Sequence, residues 1–263
     1  MTGRGIDQIL PYPSDPAIHE RYVQSALGYV QIAEEKNGPI PRSVDPSYIW
    51  GDALEELDRV KPDARIVNLE TAVTRSDDWL DKGINYRMNP GNIACLSAAA
   101  IDCCALANNH VLDWGAPGLI ETLDALHAAG LKTAGAGRNR LDAQAPAELP
   151  VGDNRRVLVF SLGAESGGVP ANWAATDRAP GVDFLADLSQ RTVPRRSRLH
   201  VLPEPRRGDG RAPRLGVGSH ADEALPRAAP LRDRRPLVML HSGSREPSLR
   251  CLGAASGESP DRA

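Results

Sequence analysis

Between Ala64 and Leu162, short apolar runs alternate with helical patterns, and this alternation constrains the fold more than any other feature of the sequence. Ala64–Leu69, Ile101–Ala107, Leu131–Ala134 and Arg156–Leu162 read as strands, the second and fourth predominantly apolar. Gly115–Ala129 reads as an amphipathic helix: Leu119, Leu123, Leu126 and Ala129 share a face, and Gly130 stops it. Pro90–Ala100 reads as another, with Asn89 as N-cap and Pro90 at the first position. A helix is also expected over Pro16–Glu35, where Ile18, Tyr22, Ala26, Tyr29 and Ile32 recur every three or four residues. Apolar strands alternating with helices imply an α/β fold whose largely parallel sheet is buried on both faces.

In such folds the loops after the carboxyl ends of the strands build the site. Asn68-Leu69-Glu70 follows the first strand, Asn108-Asn109-His110 and then Asp113 the second, and Gly135-Ala136-Gly137-Arg138 the third. Glu70, Asn109 and His110 supply a carboxylate, an amide oxygen and an imidazole, donors suited to Mn²⁺, Mg²⁺, Zn²⁺ or Fe. Paired metal ions at such a cluster would generate hydroxide and polarise a phosphoryl oxygen, and His110 could protonate the leaving group. The competing reading is a plain polar turn, which Asn favours. The Gly135–Arg138 stretch is either an anion cradle assisted by Arg138 or a tight strand-to-helix turn; it lacks the nucleotide-binding glycine patterns. Cys103 and Cys104 lie inside an apolar strand and read as buried structural thiols.

Composition divides the chain. The formal charge of −3 is the sum of −10 over residues 1–190 and +7 over 191–263. The second segment holds 15 Arg and no Lys, Ile, Phe, Tyr, Trp, Asn or Gln, too little apolar material for a core of its own. Two domains are therefore expected, an α/β body at 1–190 and an Arg/Pro-rich tail at 191–263. The tail lacks the aromatic residues that stack on bases, so nucleic acid is not expected as a partner despite the arginines. No run approaches the roughly 18 apolar residues of a membrane helix, and Met1–Glu20 shows no secretory pattern, so the chain as written reads as cytoplasmic.

Four stretches in order carry a family resemblance: Met1-Thr2-Gly3-Arg4-Gly5-Ile6-Asp7-Gln8, Ile66-Val67-Asn68-Leu69-Glu70, Ala107-Asn108-Asn109-His110-Val111-Leu112-Asp113-Trp114-Gly115, and Gly135-Ala136-Gly137-Arg138. The sequence resembles the bacterial CapA, or poly-γ-glutamate biosynthesis, proteins of the calcineurin-like metallophosphoesterase superfamily. The resemblance implies an αββα sandwich of two sheets flanked by helices, a divalent-metal site at the strand ends, and a small-molecule or polymer substrate. It implies Glu70 and Asn109 as metal ligands, His110 as the phosphate-side acid and Asp113 as its support. Arg4 and Asp7, with Asn68, Asn108 and Arg138, would lie where substrate binds, and Tyr86-Arg87-Met88 would line the cleft or serve packing. Members of the family are often membrane-anchored or exported.

The sequence departs from the family pattern twice. The family's first strand ends in a ligating Gly-Asp just before a stretch like Met1–Gly5, so the sandwich is expected to be incomplete at that end. The family's Ile-His-Trp-Gly and Gly-His-Ser-Ser-His-like motifs are not found after Ser189; Ser219-His220 and Leu240-His241-Ser242-Gly243 are the nearest stretches. The tail's composition fits out-of-frame translation of a GC-rich gene. The genomic DNA across codons 185–200 is expected to contain a one-base change that restores Ile-His-Trp-Gly downstream. If no single-base change restores it, the out-of-frame reading is wrong.

Overall fold

The computed structural model describes residues 2–152, 155–186 and 237–241. It is a mixed α/β structure with a parallel sheet and helices. All of the described residues belong to one unit of the chain.

The first part of the chain is helical: α1 spans Gly5–Ile9, α2 Ala26–Asn37 and α3 Ala53–Val60. The helix expected from Pro16 begins only at Ala26, where the Ser25 hydroxyl accepts from the Leu27 N–H at 3.3 Å. Upstream, Ile18 N bonds Gln24 O and Ala26 N bonds Pro16 O, so the segment closes as a loop instead. These local bonds outweigh a periodicity that in isolation reads as helix.

From residue 66 the alternation holds, in shorter elements. Strand β1 is Ile66–Asn68, followed by β2 at Ala72–Val73 and β3 at Arg87–Met88. Asn89 caps as expected, accepting from Gly91 N at 2.9 Å, but it caps a single 3-10 turn before α4 at Ala94–Ala98. Strand β4 is Cys103–Ala105, α5 Gly115–Ala128, β5 Lys132–Ala134 and β6 Ala136–Gly137. Then come α6 at Arg140–Gln144, β7 at Ala147–Val151, β8 at Arg155–Leu162, β9 at Gly181–Val182 and β10 at Leu237–His241.

Strands β1, β4 and β5 form a parallel sheet in the order β1-β4-β5, with Val67 opposite Cys104 and Cys104 opposite Thr133. A second sheet runs β10-β8-β7, antiparallel between β7 and β8 and parallel between β8 and β10, where His241 is in register with Leu162. Pairing with β7 explains why β8 is not buried throughout, as its sequence suggested; burial alternates along it, the signature of a strand with one face on the core.

Adjacent Cys103 and Cys104 show how the parallel sheet divides the interior. Side chains alternate across a strand. Cys103 enters a cluster with Ala134, Ala147, Leu149, Val151, Val157 and Val159, which joins the two sheets. Cys104 enters the larger cluster, which contains Leu96 of α4 and Leu119, Leu123 and Leu126 of α5. Thr122 fastens α5 to β2: its hydroxyl accepts from Val73 N at 2.9 Å and donates to Gly118 O at 2.7 Å. Gly135 turns the chain out of β5 at φ +89°, where an added Cβ would lie 2.5 Å from Ser161 O.

The sequence-expected tail at 191–263 lies outside the described residues apart from β10, as do Ser219-His220 and Ser242-Gly243. Among the described residues no helix is long and apolar enough to cross a membrane.

Burial pushes the Cys95 thiol up to about 11 and the Cys103 and Cys104 thiols up to about 12. A raised thiol pKa stabilises the folded state fully below the unfolded value of about 8.5. That contribution disappears as pH rises toward 11 and 12. Urea midpoints should therefore fall steadily above about pH 9. Replacing Cys103 and Cys104 by Ala should flatten this slope; an unchanged slope would mean that these thiols ionise in the folded chain.

Candidate functional site

The carboxyl ends of β1 and β4 are neighbours in the sheet, and the loops leaving them bring Glu70 and His110 together. His110 Nε2 stands 3.9 Å from Glu70 Oε1. The other imidazole nitrogen, Nδ1, lies 2.7 Å from Asp113 Oδ2. Asp113 is fully buried, so its oxygens must find donors within the protein. Oδ2 also accepts from the Tyr86 N–H at 2.6 Å, and Oδ1 pairs with Lys82 Nζ at 2.7 Å. With Oδ2 accepting at Nδ1, that nitrogen carries a proton and Nε2 is turned to the Glu70 side.

Further bonds lock this arrangement. Lys82 also donates to Asn109 O, and its ammonium lies 5.2 Å from the Trp173 ring centre. Asn85 donates to both Leu80 O and Asp113 O, and Leu80 N bonds Asp113 O. The 107–110 loop rests on β8, where Ala107 N donates to Ser161 Oγ at 3.3 Å.

Each sequence-derived candidate now has a position. Glu70, Asn109, His110 and Asp113 fall in one region. Asn68 joins them, donating to Glu70 Oε2 at 3.3 Å. The Asn109 side-chain amide makes no hydrogen bond among the described residues, leaving its oxygen available. Arg4 reaches the region through Tyr86, 4.5 Å from the ring centre.

Three candidates are engaged in other contacts. Asp7 is 1% exposed, and its oxygens accept from Asn89 N, Asn92 Nδ2 and Ser14 N at 2.7–2.9 Å, so it braces the first loop. Asn108 is fully buried; it donates to Asn68 Oδ1 and Leu69 O and accepts from His110 N, which shapes the loop. Arg138 pairs with Asp124 on α5, outside the cluster. Its glycine neighbours resolve as a tight turn: Ala136 and Gly137 are buried in the β6–β9 ladder, and Gly137 packs closely on α6. Lys82, Asn85 and Glu20 were not singled out from sequence. For Lys82 and Asn85, only the nearby Tyr86-Arg87-Met88 stretch was visible, through the family resemblance.

The donors around Glu70 are of the kind a hard divalent cation takes, but they are few. Among the described residues no group of three or more His, Cys, Asp or Glu could hold a metal ion.

The fold and strand-end cluster define a mixed α/β protein with a buried Asp–His pair behind a carboxylate. The chain belongs to the bacterial capsule synthesis protein family PGA_cap, which matches residues 1–245. That match runs past Ser189, where the likeness of individual motifs ends, and into the Arg-rich segment. Two curated relatives, each named "Probable polyglutamine synthesis accessory protein", come from Mycobacterium tuberculosis strains CDC 1551 and H37Rv. Each is 46% identical over 210 residues, covering 80% of this chain and 55% of the relative. The chain thus spans about half the length of the curated relatives it matches.

Lys82→Met should destabilise the fold by about 2–4 kcal/mol, because it leaves the buried Asp113 carboxylate without its cation. Denaturant titration reads this directly. Lys82→Met together with Asp113→Asn should recover much of the loss; if the pair is no better than the single change, Lys82 does not act through Asp113.

Proposed function

We propose that the chain serves capsule or polyglutamate synthesis through a metal-dependent, phosphoesterase-type site at the carboxyl ends of β1 and β4. The observation that carries this reading is the buried Asp113–His110 pair, with Nε2 facing Glu70 across 3.9 Å. The sandwich architecture of the metallophosphoesterases belongs to the same proposal, supported by two sheets sharing an apolar cluster.

Glu70 and Asn109 are the residues that would hold a divalent ion, of the Mn, Mg, Zn or Fe type. When bound, such an ion supplies Lewis acidity toward a phosphoryl oxygen and lowers the pKa of water. His110 then acts from its own geometry. Asp113 holds the Nδ1 proton, so a protonated Nε2 can give a proton to the leaving oxygen of an ester. Lys82 balances the charge of Asp113, which steadies the orientation of the imidazole. The substrate is a small molecule or polymer carrying an esterified phosphate. The shortage of carboxylate and imidazole donors among the described residues favours a second reading, a non-catalytic binding protein of the same fold.

The test uses the full chain with Mn²⁺, Mg²⁺ or Zn²⁺, titrated calorimetrically, and with p-nitrophenyl phosphate as substrate. Less than one tight ion per chain and slow turnover are expected, since a two-metal site needs several ligands fixed together. Glu70→Gln and Asn109→Ala should each remove the residual binding, while His110→Ala should lower turnover and leave binding intact. His241, which ends β10 in register with Leu162, is the tail residue to replace alongside them. Metal binding that survives Glu70→Gln and Asn109→Ala would overturn the ligand assignment. Turnover that survives His110→Ala would overturn the acid. Metal binding with no turnover at all would select the non-catalytic reading.

A further inference from the structure

A column of side chains ends on His110. The Tyr86 ring lies against the imidazole, with centroids 3.9 Å apart and planes 29° apart. The Arg4 guanidinium stands 4.5 Å from the centre of the Tyr86 ring and 4.6 Å from that of Tyr29. Arg4 also pairs with Glu20, whose second oxygen accepts from the Tyr29 hydroxyl at 2.6 Å.

Several features hold this column in place. Arg4 sits at φ 52° and ψ −125°, a region that costs a residue with a Cβ about 1–3 kcal/mol and persists only where the surroundings impose it. Here they do. An added Cβ on the preceding Gly3 would lie 2.6 Å from Arg87 O, so the chain passes hard against β3 at this point. The Glu20 side chain is 1% exposed, so withdrawing the guanidinium would strand a buried carboxylate. Tyr86 is tied down as well: its N–H goes to Asp113 Oδ2, and its carbonyl accepts from Trp114 Nε1 at 3.1 Å.

The bond from Nδ1 to Asp113 fixes one direction of the imidazole but leaves the ring free to tip about that axis. A stacked aromatic face removes the remaining freedom, because tipping would break the contact. The cation on Tyr86 adds an electrostatic attraction that stiffens the stack. We propose that Tyr86 and Arg4 are positioning residues for His110, the stack setting the plane of the imidazole and so the direction of Nε2. The proposal rests on the role given above to His110, and its test has a readout that does not need turnover.

The ring protons of His110 are followed by proton–carbon NMR in the full chain and assigned by their loss in His110→Ala. In the unaltered protein they should lie upfield of free imidazole through the Tyr86 ring current. Tyr86→Phe should keep that shift, and Tyr86→Leu should abolish it and broaden the signals. Arg4→Met combined with Glu20→Gln removes the cation without stranding a charge; it should broaden the signals while Tyr86 remains. Where Tyr86→Leu fails to fold, this double variant carries the test. With p-nitrophenyl phosphate, Tyr86→Leu should lower kcat about ten-fold with KM little changed, and Tyr86→Phe should restore it. His110 signals that stay unmoved in folded Tyr86→Leu, or unbroadened in the double variant, would overturn the proposal. If the unaltered chain hydrolyses nothing, the hydrolase reading falls, while the NMR result still decides the positioning.

Discussion

The carboxylate of Asp113 is the group on which the site depends. It is fully buried, and a bare carboxylate in that position would cost several kcal/mol. Its three side-chain contacts are therefore obligatory: Lys82 on Oδ1, and the Tyr86 N–H and His110 Nδ1 on Oδ2. Each contact also does something elsewhere. Lys82 reaches Asn109 O and so fixes the loop that carries the candidate ligand amide. Tyr86 presents its ring to His110. His110 has its nitrogens distinguished, one toward Asp113 and one toward Glu70.

Much of the fold was legible from periodicity because the strands and α5 bury their patterns in the usual way. The strands after Ala64 appear where the apolar runs are; β1, β4 and β5 are trimmed at one or both ends, and β8 gains one residue. Cys103 and Cys104 could be assigned to the interior from sequence, but not to the particular cluster each one enters. That distinction needs a second layer, supplied by β7, which the sequence reading passed over. The helix expected over Pro16–Glu35 starts only at Ala26 for a different reason. Its apolar spacing was genuine, but Pro16–Gln24 makes bonds across a loop that periodicity cannot register.

The site was legible to a similar degree and for similar reasons. Glu70, His110 and Asp113 stand next to strands, and strand ends are where an α/β sheet places its chemistry. Lys82, Asn85 and Tyr86 stand in the connection between β2 and β3, where no rule of spacing operates. Asp7 illustrates the opposite case. It is an acid near the start of a family-like stretch, yet it is enclosed by Asn89, Asn92 and Ser14. A conspicuous acid can be a brace as readily as a ligand, and only its hydrogen-bond partners distinguish the two.

The two halves of the site have different structural sources. Orientation of His110 is assembled from Arg4, Lys82, Tyr86 and Asp113, and all of these contacts lie among described residues. The proposed metal site would draw on strand ends, and the loops after β1 and β4 offer it Glu70 and Asn109. The carboxyl end of β8 lies beside the same loop, since Ser161 Oγ meets Ala107 N, and β10 runs parallel to β8 to end at His241. Topology thus brings strand ends of both sheets toward one place. An imidazole can be fully positioned by local contacts while the affinity for a cation still depends on how many strand ends contribute a donor. On the proposed reading, orientation and metal affinity would therefore be separable, and a weak metal site need not disturb the imidazole.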